Sequence, residues 1–422
     1  MSSNVRINIE NFRAIRKAEI KIDGITLVAG ENGSGKSTLS KLLYFLYKTV
    51  SNYESIVDNQ LIGKLNSILL YLEILIQESK LPQRDRREIR EDIRKIRRNT
   101  SYQDWVSLID KIEHLFTEYN VLDVDNPRWN RIIKITEDVL GDNISEEKGF
   151  EKIQEFITNQ FKEADGKKQS RPISLFINEL SKEFSGSKLP SRFEVLEFND
   201  IIVSLSKSNL SIPYTIRNCV YIDTPMSITV EDKNTHWDDL NILLSDSNKN
   251  NISEDIEDIS KIINGDVYIE DDLFDDDFKY KRIDGKTFDL LDVATGIKAF
   301  SILQLLLKGG HLTKNTLLII DEPESNLHPQ WIVEYARIIV KLNKHLGVKF
   351  VLASHNPDMV SAIRYISEKE GILDNVNFYL AEREKETFTY NYKDLGKEID
   401  PIFGSFNIAL DRINQYGGGD EV

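Results

Sequence analysis

The chain predicts an α/β fold: a mostly parallel sheet with an antiparallel β portion, interrupted by a large helical insertion. Three observations lead there. Strand-like alternation over residues 5–29 ends in a glycine-rich loop, "GENGSGKST" (30–38), that opens a helix. Two continuous apolar runs near the other end, "TLLIID" (316–321) and "VKFVLAS" (348–354), suit strands buried on both faces of a parallel sheet. Between the two regions, residues 51–210 are rich in Leu, Ile, Glu, Lys and Arg at helical spacing.

Taken in order, "VRINIENF", "AEIKI" and "ITLVAG" are strands, and a helix runs from about Lys36 through "LLYFLY". The 51–210 stretch has few strand-like runs; "LNSILLYLEILIQ" and "WVSLIDKIEHLF" are representative of it. No heptad pattern persists over three or four repeats, so a long coiled-coil arm is not expected, and no tandem repeat is visible. Strand character returns at "YTIRNCVYIDTPMSI" (214–228), and the polar "SDSNKNNISEDIEDIS" (245–260) reads as loop and part helix. An acidic hairpin is expected over 266–290, then a helix after Gly296. Between the two apolar runs, "PQWIVEYARIIVKLNKHLG" (329–347) is an amphipathic helix ended by Gly347. "VNFYLAER" (376–383) and "TFTYNY" (387–392) form an antiparallel pair, and "IFGSFNIALDRINQY" (402–416) a closing helix. The insertion thus divides one head into residues 1–50 and 211–422.

Composition narrows the class. Forty per cent apolar and 29% charged residues suit a water-soluble chain that buries a large core. "MSSNVRINIENF" lacks the basic start and apolar run of a signal peptide, and no stretch approaches the roughly 18 apolar residues of a membrane span. The single cysteine, Cys219, excludes a disulfide framework and a CxxC metal site, so a cytosolic setting is expected with no membrane partner. The net charge of −15 argues against a protein that coats nucleic acid non-specifically. Locally, "RDRREIREDIRKIRRN" (84–99) sets eight Arg or Lys against four acids. It reads as a solvated helix face with i,i+4 pairs such as Glu91 with Lys95, or as a patch for nucleic acid or another partner. The acidic "EDDLFDDDFKYKRID" (270–284) would shield a hairpin or sheet edge from further pairing.

"GENGSGKST" fits G-x-x-x-x-G-K-[ST] with Gly30, Gly35, Lys36 and Ser37 in place. Glycines let consecutive backbone N–H groups turn inward toward phosphate oxygens, and the helix starting at Lys36 adds its positive end. Lys36 then reaches the β- and γ-phosphates while the Ser37 hydroxyl binds Mg²⁺. Gly30, Asn32, Gly33, Ser34, Gly35, Lys36, Ser37 and Thr38 are therefore the candidate nucleotide site, with ATP and Mg²⁺ the expected ligands. "TLLIIDEPE" (316–324) places Asp321 at the C-terminal edge of the sheet, where α/β ligands bind; it is the second candidate metal residue. Glu322 follows as the candidate that polarises the attacking water, and His355, at the end of "FVLASHNPDM" (350–359), as the one that reaches the γ-phosphate.

The set "GENGSGKST", "ATGIK", "LLIIDEPESNLHP" and "ASHNP" resembles the ABC-type ATPase superfamily. The likeness is to its non-transporter branch of RecF, structural-maintenance-of-chromosomes (SMC) and overcoming-lysogenization-defect (OLD) ATPases, over about 1–50 and 214–392. The resemblance implies a P-loop NTPase head of ABC type, and nucleotide held between two heads facing opposite ways. "ATGIK" (294–298) stands where the transporter signature reads Leu-Ser-Gly-Gly-Gln, with Thr295 for serine and Lys298 for glutamine. Thr295, Gly296 and Lys298 would thus cap the ATP of a facing copy, making the chain at least a dimer. No glutamine stands out as a Q-loop residue; Asp223 in "YIDTP" (221–225) is the substitute candidate.

The chain after His355 is too short for the Toprim domain of the nuclease-bearing relatives. In outline it resembles the Septu-type and retron-associated ATPase subunits of prokaryotic antiphage systems. That implies an ATP-dependent sensor or scaffold controlling a separate effector such as a nuclease. The alternative is a RecF-like repair ATPase that clamps DNA between its heads, so nucleic acid stays open as a partner. A transporter subunit would need a proper signature and is disfavoured.

Overall fold

A computed structural model describes residues 5–98, 100–123, 125–140, 149–223, 236–246, 253–271 and 276–404. The chain divides into two compact units, one reaching Ser51 and resuming at Ile173, the other comprising Asn52–Pro172.

The first unit opens with β1 (Val5–Phe12), β2 (Ile15–Ile22) and β3 (Ile25–Gly30), followed by α1 (Lys36–Ser51). β1 and β2 show the half-buried alternation expected of a sheet with one wet face, whereas β3 is buried through Ala29. The second unit holds α2 (Tyr53–Glu78), α3 (Gln83–Arg98), α4 (Tyr102–Glu118), α5 (Pro127–Leu140) and α6 (Gly149–Ser170). Its core is Leu65, Ile68 and Leu72 from α2, Ile89 and Ile93 from α3, Trp105 and Ile112 from α4, and Ile153 and Phe156 from α6. Ser101 caps α4 by accepting from the Asp104 N–H at 3.1 Å.

After the insertion come α7 (Ser174–Glu183), β4 (Arg192–Glu197), β5 (Asp200–Ser204), β6 (Asn218–Ile222), α8 (His236–Ser245) and α9 (Glu254–Ile263). The acidic region folds as β7 (Gly265–Asp271), β8 (Asp276–Arg282) and β9 (Thr287–Asp289), a separate three-stranded antiparallel sheet. The rest alternates: α10 (Thr295–Lys308), β10 (Thr316–Asp321), α11 (Pro329–Leu346), β11 (Lys349–Ser354), α12 (Pro357–Lys369), then β12 (Val376–Arg383) and β13 (Tyr390–Gly396). Residues 400–404 are helical, and the remainder of the closing helix expected at 402–416 lies outside the described residues.

Ten strands make one sheet in the order β5-β4-β1-β2-β13-β12-β3-β11-β10-β6. From β12 to β6 every neighbour runs parallel, and β1, β2, β4 and β5 form its antiparallel side. The architecture is the expected mostly parallel α/β sheet with an antiparallel side. Ile25, Leu27, Leu318, Ile320, Phe350 and Leu352 on one face share a core with Phe300 of α10, Tyr335 of α11 and Met359 of α12. α1 packs against β3, β6, β10 and β11.

The insertion boundary differs from the 51–210 of the sequence reading. β4 pairs with β1 and β5 with β4 inside the head sheet, so residues 173–210 sit with the head and the helical unit closes at Pro172. The charge pairs on α3 differ too. Glu91 meets Arg87 at 3.5 Å, and Lys95 reaches Asp104 of α4 at 2.7 Å instead of Glu91. Glu88 and Asp92 both meet Lys111 on α4, which leaves Arg90, Arg94 and Arg98 on an exposed strip.

Candidate nucleotide site

Register assembles the site. Ala29 of β3 lies opposite Ser354 of β11, and Ala353 of β11 opposite Asp321 of β10. The ends of three adjacent parallel strands therefore bring the 30–38 loop, Asp321, Glu322 and His355 to one edge of the sheet, where such folds bind ligands.

The loop needs its glycines for two reasons. Gly33 and Gly35 have φ of +81° and +91°, backbone that L side chains rarely adopt. Gly35 is also walled in: a Cβ there would meet Ile15 Cγ1 at 3.0 Å and Tyr392 Oη at 3.3 Å. Behind the loop, the Tyr392 hydroxyl donates to the Ser34 carbonyl at 3.2 Å. Lys36 folds back over the loop, its Nζ donating to the Gly30 and Glu31 carbonyls at 2.8 and 2.9 Å. Burial holds the Lys36 ammonium below its usual pKa, against the opposing pull of Glu322, Asp321 and Glu324. The cation is thus within the field of four carboxylates, Glu31 of the loop being the fourth. Asn32, Gly33 and Ser37 are exposed, Thr38 is half-buried, and the buried Ser34 Oγ has no hydrogen-bond partner among the described residues.

Asp321 is only 2% exposed, and its oxygens accept from Ser40 Oγ at 2.5 Å and Tyr221 Oη at 3.0 Å. Burial raises its pKa, opposed by hydrogen bonds from Ser40 and Ser37. Two serines of α1 and the last residue of β10 thereby form an oxygen-rich nook, the donor chemistry that suits Mg²⁺. Ser40 and Tyr221 are absent from the sequence reading. Ser40 lies one helical turn beyond Lys36, a spacing that signals a shared face once Lys36 is placed.

Glu322 adopts φ +49°, left-handed for a non-glycine, as the chain turns off β10. Its N–H donates to the Ala353 carbonyl at 2.8 Å, and Ser325 Oγ donates to its Oε2 at 3.0 Å. His355 Nδ1 lies 3.6 Å from Glu322 Oε1 and 3.4 Å from Glu324 Oε1, with the imidazole side chain 45% exposed. Glu324, also missed, is nearly buried, and its Oε1 accepts from Ser354 Oγ at 2.9 Å and the His355 N–H at 3.0 Å.

Asp223 stands 3.9 Å from Lys41 Nζ and 3.5 Å from His236 Nε2, and hydrogen-bonds Tyr221. Thr224 and Pro225 of the "YIDTP" turn lie outside the described residues. Burial pushes the His236 imidazole down to about 4. Thr295, Gly296 and Lys298 sit on the first turn of α10, which begins after Ala294 with no side-chain cap. Lys298 Nζ bends back to the Leu291 carbonyl at 2.5 Å. Gly296 is buried, and a Cβ there would meet the Trp331 ring at 2.8 Å and Leu327 at 3.3 Å. The glycine is thus needed for packing against α11.

A phosphate loop at the end of β3, flanked by an acid-bearing β10 and a histidine-bearing β11, defines a P-loop ATPase head. A family model for the AAA ATPase domain matches residues 5–360, and the chain belongs to that family. The chain is similar to the structural maintenance of chromosomes protein 3 homolog of Plasmodium falciparum, 24% identical over 436 aligned residues that cover 96% of this chain and 33% of that protein. It is also similar to the DNA replication and repair protein RecF of Shewanella oneidensis, 44% identical over 45 residues, 10% of this chain and 12% of that one. The chain thus spans a third or less of the length of these relatives. Among solved structures, the SMC head domain of Thermotoga maritima aligns with 10% identity and a TM-score of 0.37, covering 94% of this chain and all of that one. CbiO1 of Clostridium perfringens, part of the ABC transporter complex cbiONQ, aligns with 11% identity and a TM-score of 0.37 over 99% of both chains. No helix among the described residues is long and apolar enough to cross a membrane.

Proposed function

We propose that the chain binds and hydrolyses ATP at this sheet edge, and that two heads pair across the bound nucleotide to act as a switch. The observation that carries the reading is the register of β3, β11 and β10, which converges Lys36, Asp321, Glu322 and His355. The 30–38 loop amides and Lys36 would hold the phosphates, while Ser37 and Asp321 would hold Mg²⁺. When bound, Mg²⁺ neutralises phosphate charge and fixes its orientation. Glu322, pinned by Ser325, orients the attacking water, and His355 faces the terminal phosphate. Thr295, Gly296 and Lys298 serve the nucleotide of the facing copy from the uncapped start of α10, whose dipole favours anions.

The switch would act on a separate effector, such as a nuclease, in prokaryotic defence against phage. That part rests on the resemblance of the head motifs. A second reading, a RecF-like repair ATPase clamping DNA, is favoured by the exposed Arg90, Arg94 and Arg98 strip and by the short stretch similar to RecF. Light scattering of the purified chain with Mg²⁺–ATP, with ADP and without nucleotide tests the switch. Mass should double with ATP alone; an unchanged mass in all three would remove paired heads from the reading. Salt-dependent, ATP-dependent retention of a DNA duplex would favour the second reading.

A further inference from the structure

Glu324 has no part in phosphate or metal binding as assigned above, yet the head spends a buried carboxylate on it. Its Oε1 collects the Ser354 hydroxyl and the His355 N–H, and faces His355 Nδ1 at 3.4 Å. Its Oε2 is buried without a hydrogen-bond partner among the described residues. A tie that only held the end of β11 would need one neutral acceptor, and a buried carboxylate with a bare oxygen is a costly way to supply it. The histidine gives that carboxylate a use. A ring nitrogen facing carboxylate oxygens is held as the N–H donor, which leaves the other nitrogen to meet a ligand.

We infer that Glu324 is a positioning residue for ATP hydrolysis, fixing His355 through its Nδ1 so that Nε2 is presented to the terminal phosphate. Glu322 Oε1 also lies near Nδ1, but farther, at 3.6 Å; Ser325 engages the other oxygen of that partly exposed carboxylate, and its position suits it to the water. The two acids, two residues apart, thus divide the work. Glu324 acts on the imidazole and Glu322 on the nucleophile.

The inference rests on the ATPase reading, and the test separates the two. In the full chain with ¹⁵N-labelled histidine, six rings report, and His355 is assigned by its absence from His355→Ala. Where the ring is neutral, His355 should carry its proton on Nδ1 without any nucleotide. Glu324→Met, close in volume but offering no acceptor, should lose that preference. Glu324→Gln keeps an acceptor and should preserve the tautomer, but its weaker, uncharged hold on the ring should lower kcat about tenfold or more, with KM within about twofold. In a His355→Ala background Glu324→Gln should cost nothing further, because the group it positions is gone. A His355 ring protonated on Nε2, or kcat losses that multiply in the double variant, would overturn the inference. If the chain turns over no ATP, the tautomer alone decides whether Glu324 holds the ring. Should Glu324→Met fail to fold, Glu324→Gln and the double variant still decide the matter.

Discussion

Replacing Glu322 with Gln removes one negative charge and little else. The side chain is about a third exposed, and its one side-chain hydrogen bond among the described residues, from Ser325 Oγ at 3.0 Å, goes to an oxygen that an amide can reproduce. The left-handed backbone at this position costs the same for either residue. Stability should therefore change by less than about 1 kcal/mol. Turnover should not be spared. A positioned general base is worth about 10²–10⁴ in rate, or about 3–5 kcal/mol of barrier at 1.36 kcal/mol per tenfold. Lys36, Ser37 and Asp321 are untouched, so ATP affinity should stay within about threefold, and the paired heads should accumulate because the releasing step is slow. Phosphate release under single-turnover conditions, with light scattering on the same samples, reads both quantities. A kcat within threefold of the parent chain would remove Glu322 from the role given to it, whatever the scattering showed.

Lys36→Ala should weaken ATP binding at least a hundredfold in titration calorimetry, since it deletes the cation that spans the loop; retained tight binding would show that the phosphates lie elsewhere. Lys298→Glu should leave ATP binding by a single head within about threefold while abolishing ATP-driven pairing by light scattering, and unchanged pairing would refute the role across the interface. It is the better probe than Gly296→Arg, because any side chain at 296 collides with Trp331 inside its own head. His236 offers a pH test. Its folded pKa of about 4 lies below the ordinary 6.5, so the unfolded chain binds the extra proton first. Stability from this group is present above pH 6.5 and is lost as pH falls toward 4, by up to about 3 kcal/mol. Denaturant midpoints of His236→Phe should therefore fall less than those of the parent chain over that window, and parallel curves would refute the assignment.

The loop, the strands bearing Asp321 and His355, and the helix starting at Thr295 were all legible because each is local. Glycine spacing, continuous apolar runs and helical periodicity carry their meaning within about ten residues. The missed features depend on distant pairing. Ser40 and Asp321 meet across 281 positions, and Tyr221 reaches the same carboxylate across 100. β4 and β5 fall within the stretch that the sequence assigns to the insertion because they follow a long helical run, although "RFEVLE" alternates with period two before a Phe198–Asn199 turn. That pattern was the available signal, and only its pairing with β1 places it in the head. Glu324 was hidden differently: beside Asp321 and Glu322 it reads as one more surface acid, and burial alone distinguishes it.

The outermost strands of the ten-stranded sheet, β5 and β6, are each five residues long. Stubby borders give a neighbouring molecule few open amides and carbonyls to zip onto, a common safeguard against runaway stacking. On the proposed pairing, copies of this protein would meet instead through side chains and the anion those side chains share, contacts that can come apart again once that anion is spent.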